Sequence, residues 1–257
     1  MNQTQSQKKE EPDVTVLATT ELQRIADEFA VPYGQKVGVY VTDLSNGATA
    51  TVNADQQFVT ASIYKLYIAY AVYNAVDKGT LSLTKVLDET VDNKTVDQCL
   101  DVMITVSDNP CGSALGFLVG WREADQLAKA MGASSTIINN PTGTDKQTTA
   151  RDTALLLSRL YHGTLLSKVS TAQFIQYLKD DEINTYLPSG LPTGTVIAHK
   201  IGYLYGFVHD AGIIYGPKKD VLVVLLTGEW SNPWTDAPPV FADLSSQLWL
   251  YMNDERF

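Results

Sequence analysis

The chain has 257 residues, 44% hydrophobic and 19% charged, with a formal charge of −10. That length can bury a full core as one two-lobed unit, the acidic balance speaks against a nucleic-acid partner, which favours a basic face, and no run of 18 apolar residues offers a membrane span. A soluble monomer is expected.

The opening Met-Asn-Gln-Thr-Gln-Ser-Gln-Lys-Lys-Glu-Glu-Pro is polar and lacks an apolar signal region. Residues 1–14 are therefore expected to be a disordered leader or linker, ahead of a single domain over 15–257. Lys36 to Asp43, the turn Ser45-Asn46-Gly47 and Ala48 to Asn53 read as a hairpin, two extended runs around an Asn-Gly turn.

Ser62 and Lys65 come next, three residues apart at the head of an apolar run. On a helix that spacing puts both on one face about one turn apart, so an amine sits where it can take a hydroxyl proton. The residues that follow, Leu66 to Tyr73 with Ala75 and Val76, make a helix apolar on every side and therefore buried. A buried helix rarely carries a serine and a lysine without partners or a task. The alternative is that Ser62 caps the helix while Lys65 snorkels outward. The same spacing at Ser6/Lys9, in the polar tail, and at Ser82/Lys85, in a predicted loop, has no such context.

Further along, Val102 to Val106 is apolar, and Ser107-Asp108-Asn109 with Pro110 reads as a turn at the end of a packed segment. Cys99 and Cys111, the chain's two cysteines, bracket that turn. One continuous helix would hold their α-carbons about 18 Å apart, whereas a reversal at Asn109-Pro110 would allow a disulfide. Two buried thiols are the other reading.

Helical patterns follow over Glu123 to Met131 and Arg151 to Tyr161, the latter opened by Thr148 and Thr149 as caps. His162, beside Gly163 at a helix end, reads as structural. Thr195 to Lys200 is strand-like and ends in Lys200-Ile201-Gly202-Tyr203. Phe207 to Tyr215, the turn Gly216 to Asp220, and Val221 to Thr227 form a second hairpin, followed by a helix near Pro239 to Tyr251. His199 and His209 lie on neighbouring strands as candidates to line a cleft. The chain has no Gly-x-Ser-x-Gly, His-Glu-x-x-His, Cys-x-x-Cys or glycine-rich phosphate loop, so no metal or cofactor is expected.

In order, Ser-x-x-Lys at Ser62, Ser-Asp-Asn at Ser107 and Lys-x-Gly at Lys200 resemble the active-site elements of penicillin-recognising serine enzymes, above all the class A β-lactamase-like family. The likeness spans roughly Val16 to Trp249. It implies an α+β two-lobed fold, with an antiparallel sheet from both chain ends (about 15–58 and 193–257) flanked by helices, and an inserted all-helical lobe (about 59–192). The active site would lie between the lobes. It also implies acyl transfer through Ser62, with Lys65 as base, its pKa depressed by burial and by Lys200. Ser107 would relay a proton to the leaving nitrogen, and Asn109 would bond the substrate amide and hold Lys65. The backbone N–H groups of Ser62 and Tyr203, reached past Ile201 and Gly202, would form the oxyanion hole. The implied partner is a small β-lactam or a peptidoglycan-type peptide. The implied location is extracytoplasmic, with an export signal or membrane anchor trimmed ahead of Met1.

Three departures qualify the likeness. No glutamate occurs between Glu123 and Glu182, and the stretch Gly132 to Thr148 is much shorter than the family's loop carrying the deacylating glutamate, leaving Asp145 as its acidic candidate. Ile201 replaces a hydroxyl residue and Ala211 stands near the family's arginine, both of which serve a substrate carboxylate. A serine hydrolase with slow or atypical deacylation is thus the first expectation. A penicillin-binding transferase or carboxypeptidase of cell-wall metabolism is the second, and a non-catalytic binding module the third.

Overall fold

Alternation along one strand organises the molecule. In β7 (Asp220–Thr227), Val221, Val223 and Leu225 pack into one buried cluster while Leu222, Val224 and Leu226 pack into another. Period-two side-chain direction in a strand buried on both faces produces this split. The structure, a computed structural model, describes residues 14–139 and 146–257.

The sheet is antiparallel with order β2-β1-β7-β6-β5. β1 (Val37–Asp43) and β2 (Thr49–Val52) come from one end of the chain; β5 (Val196–Leu204), β6 (Phe207–Tyr215) and β7 come from the other. One face is covered by α1 (Val14–Ala30) and α8 (Pro233–Asn253). Ala18, Leu22, Ile25, Ala26 and Phe29 make the buried stripe of α1, at the spacing of one helical face. The other face meets helices from the middle of the chain. These are α2 (Tyr64–Asp77), α3 (Val96–Thr105), α4 (Asn109–Val119), α5 (Trp121–Ala130), α6 (Ala150–Tyr161) and α7 (Lys168–Lys179). A two-stranded sheet, β3 (Phe58–Val59) with β4 (Gln147–Thr148), joins the two parts. This is the two-lobed α+β fold expected from the sequence.

Local signals account for most boundaries. Thr149 caps α6 by accepting from the Asp152 N–H, and Thr95 with Gln98 forms a capping box on α3. α8 begins six residues before the expected Pro239, because Pro233 occupies the first turn, where a missing N–H costs nothing; Pro238 and Pro239 lie inside the helix. Val14, assigned to the leader from sequence, is already helical; the rest of that segment, 1–13, lies outside the described residues. Among the described residues no helix is long and apolar enough to cross a membrane.

Between α3 and α4 the chain reverses through Ser107, at φ 59°, and Asp108 caps α4 by accepting from the Cys111 N–H at 2.7 Å. The reversal brings the Cys99 and Cys111 α-carbons to 5.0 Å, and a disulfide joins them. The bridge closes a short loop containing the whole turn. Replacing both cysteines by alanine should lower unfolding stability by about 2–4 kcal/mol, read from urea midpoints of oxidised wild type and variant. An unchanged midpoint would mean that α3 and α4 hold the turn unaided.

Candidate active site

Ser62 lies in a 3-10 turn, Ala61–Ile63, running directly into α2. N–H groups of a first helical turn have no intrahelical partner, so the Ser62 amide is available to an incoming oxygen. Ala61, at φ 44°, and Ser107, at φ 59°, both hold left-handed backbone as non-glycine residues. Each such position costs on the order of 1–3 kcal/mol and persists only where the surroundings over-determine it.

Lys65, one turn on, is fully buried, which excludes the snorkelling alternative. Its Nζ donates to the Ser107 carbonyl at 2.5 Å, to Asn109 Oδ1 at 2.8 Å and to Ser107 Oγ at 3.1 Å. Burial first, then the nearby Lys200 charge, bring its pKa down to about 7, against a smaller opposing pull from Asp108. A Cβ on Gly112 would stand 3.1 Å from Lys65 Cε, so a glycine in α4 is what lets α4 approach the lysine this closely.

Among the described residues, strand β5 is the sheet edge, paired with β6. The β5–β6 turn has Tyr205 at φ 46° and Gly206 at φ 93°, a two-residue primed turn closed by Leu204 and Phe207. Hydrogen-bonded and non-hydrogen-bonded pairs alternate from there. Tyr203, opposite Val208, and Ile201, opposite Asp210, therefore direct their N–H and C=O groups away from β6, toward the open edge. Gly202 sits against the nucleophile turn, where a Cβ would come within 3.1 Å of Ile63 Cγ1 and 3.2 Å of the Thr60 carbonyl.

A cavity of about 270 Å³ lies at this junction, with Ser62, Ser107 and Asn109 on one side. Ile201, Tyr203 and Trp234 line another side, and Ile183, Thr185 and Tyr186 close it. Sequence reasoning missed the last three and Trp234. Asp181 orients that segment by accepting from the Ile183 N–H at 2.8 Å.

Lys200 is buried in the face opposite His199, with Nζ 3.5 Å from Asp181 Oδ2. Burial pushes Lys200 down and Asp181 up, each opposed by the charge of the other. His199 Nδ1 pairs with Asp210 Oδ1 at 2.9 Å. Burial would lower this histidine, but the charge and hydrogen bond of Asp210 outweigh it and leave His199 raised. His209 is brought down to about 4 by burial and is neutral, its Nε2 donating to the Val59 carbonyl and its Nδ1 accepting from the Thr227 N–H. Neither histidine lines the cavity; both tie strands together. Ala211, opposite Lys200 in register, is fully buried. Asp145 lies outside the described residues. Among the described residues no His, Cys, Asp and Glu group is arranged to hold a metal ion.

The arrangement holds a hydroxyl at a helix start, an amine half-neutral near pH 7, a second hydroxyl bonded to that amine, and outward N–H donors on an adjacent strand edge. Such a set can take a hydroxyl proton, attack a carbonyl and stabilise the resulting oxyanion.

Comparison with known proteins points the same way. The profile of the Beta-lactamase enzyme family matches residues 18–252. Beta-lactamase AST-1 of Nocardia asteroides is 25% identical over 243 residues, 82% of this chain and 76% of that protein. A mutant of PBP-A, solved as an acyl-enzyme complex with penicillin G, is 26% identical with a TM-score of 0.82, covering 90% of this chain and 96% of that one. A β-lactamase from Chitinophaga pinensis, 24% identical, shares the fold with a TM-score of 0.80 over 91% of this chain and 100% of that one.

Proposed function

Because the chain belongs to the Beta-lactamase enzyme family, we propose that it is a serine acyl-transfer enzyme working through an acyl-Ser62 intermediate. The observation that carries this is the buried Lys65 amine, held by Ser107 and Asn109 one turn from Ser62 with its pKa near 7. Neutral Lys65 takes the Ser62 proton as Oγ adds to the carbonyl carbon of an amide or ester. The Ser62 and Tyr203 N–H groups receive the oxyanion. The C–N or C–O bond then breaks, and the leaving atom takes a proton through the Ser107 hydroxyl from Lys65. Burial, with a smaller contribution from the nearby Lys200, brings the Lys65 pKa to about 7, so a neutral fraction of the amine is present near neutral pH to act as the base.

Release of the acyl group is the slow step in this reading, because among the described residues no carboxylate lines the cavity. Water is the acceptor in a β-lactamase-like reaction and an amine in a penicillin-binding transferase. The likeness to PBP-A, with its penicillin acyl-enzyme, favours keeping the transferase as the second reading. The Cys99–Cys111 bridge supports an oxidising, extracytoplasmic location.

Ser62→Ala should lower cleavage of activated esters and β-lactams by roughly a thousandfold or more while leaving the fold intact. Equal rates in variant and wild type, with matching circular dichroism, would remove Ser62 as nucleophile.

A further inference from the structure

Among the described residues, no charged side chain lines the cavity beside Ser62: the nine that do are polar-neutral, aliphatic or aromatic. Two lysines stand behind the lining, both fully buried and neither lining the cavity: Lys65, held by Ser107 and Asn109 and neutral when it acts as the base, and Lys200, matched by Asp181. Whether the Lys200–Asp181 pair is ionic or has shared its proton, its net charge is zero. A substrate carboxylate in this slot would therefore lose its hydration without meeting a counter-charge, a costly burial. The surrounding field adds to the penalty, since the chain carries a formal charge of −10 and disfavours the approach of anions.

The same cavity offers a specific apolar attraction. Tyr203 and Trp234 lie with ring centroids 4.6 Å apart and planes tilted by 34°, and Trp234 is 64% exposed. An indole left this open, on the rim of a cavity and packed against the Tyr203 ring, presents surface for a second flat group. Ile201, 5% exposed, supplies an aliphatic wall on the same strand as Tyr203, with a side chain that cannot donate a hydrogen bond.

We propose that the site selects uncharged acyl donors, esters or amides bearing a flat or aromatic group that packs against Tyr203 and Trp234, over donors carrying a carboxylate beside the scissile bond. This inference rests on the acyl-Ser62 reading above and names its substrate class. The chemistry is unchanged: Ser62 Oγ gains the acyl group, and the leaving nitrogen or oxygen gains the proton that Ser62 gave up. Selection acts on entry and binding.

The test compares penicillin G with its methyl ester, a pair in which a methyl group replaces the negative charge, by the rate at which each forms an adduct with the full-length protein. The ester should acylate at least about tenfold faster, and Ile201→Thr should narrow that ratio by giving the free acid a donor. Trp234→Ala should slow the phenyl-bearing ester more than a penicillin methyl ester with a small acyl side chain. Because Trp234 is largely exposed, this variant is expected to fold. A free acid that reacts as fast as its ester or faster, with the adduct on Ser62, overturns the selectivity and leaves the serine mechanism standing. So does an equal effect of Trp234→Ala on both esters, for the aromatic platform. No adduct from acid or ester would remove the acyl-Ser62 reading itself, and this inference with it.

Discussion

Replacing Lys65 by methionine is expected to slow acylation of Ser62 by about a hundred- to ten-thousandfold, the usual contribution of a positioned general base. Methionine replaces the apolar stem at nearly the same length but cannot take a proton. The pH profile should change with it. Lys65 has a pKa lowered to about 7, so protonation below that value removes the base. In wild type the acylation rate should fall by about tenfold per pH unit below 7 and flatten above it, and the variant should lose this inflection. Stopped-flow acylation between pH 5.5 and 8.5 reads both effects. A small rate loss with the inflection intact would show that another group accepts the Ser62 proton.

The second large effect concerns the fate of the acyl group. Acylation needs Ser62, Lys65 and the outward N–H donors, whereas hydrolysis of the acyl ester also needs a base that holds and deprotonates water. Among the described residues, two carboxylates close to the site have other partners. Asp108 caps α4 through the Cys111 N–H, and Asp181 pairs with Lys200. A chromogenic ester or lactam should therefore give a burst of one equivalent, followed by a steady state slower by about a hundred- to ten-thousandfold. Asp145→Asn should change that slow phase little. A tenfold or larger loss would identify Asp145 as the deacylating base, and steady turnover without a burst would show that a group such as Lys65 activates water.

Local and periodic features made much of the molecule readable from sequence. Ser62 and Lys65 stood out because a helix with Leu66 to Tyr73 buried has no solvent face for them. The hairpins were legible from two-residue periodicity and turn residues, and α6 from its threonine cap. What stayed hidden depends on contacts between distant segments. Ile183, Thr185 and Tyr186 reach the cavity from a stretch anchored by Asp181 on Lys200 and by the Leu187 N–H on Asp210. No local pattern announces such anchors. The start of α8 was misplaced because Pro239 reads as a helix start, while Pro233 already fills that role and brings Trp234 to the rim. His199 and His209 were correctly assigned to neighbouring strands, but which face each occupies followed only from the β5–β6 register.

The most direct measurement is an intact-mass time course of the protein mixed with a penicillin methyl ester, in wild type and Ser62→Ala. Opening of the lactam ring expels no fragment, so the wild-type mass should rise by the whole mass of the lactam. The adduct should map to the peptide containing Ser62 and decay slowly, and the variant should stay unmodified. A wild-type mass that never changes across a panel of acids and esters, or an equal adduct on Ser62→Ala, would contradict catalysis through Ser62.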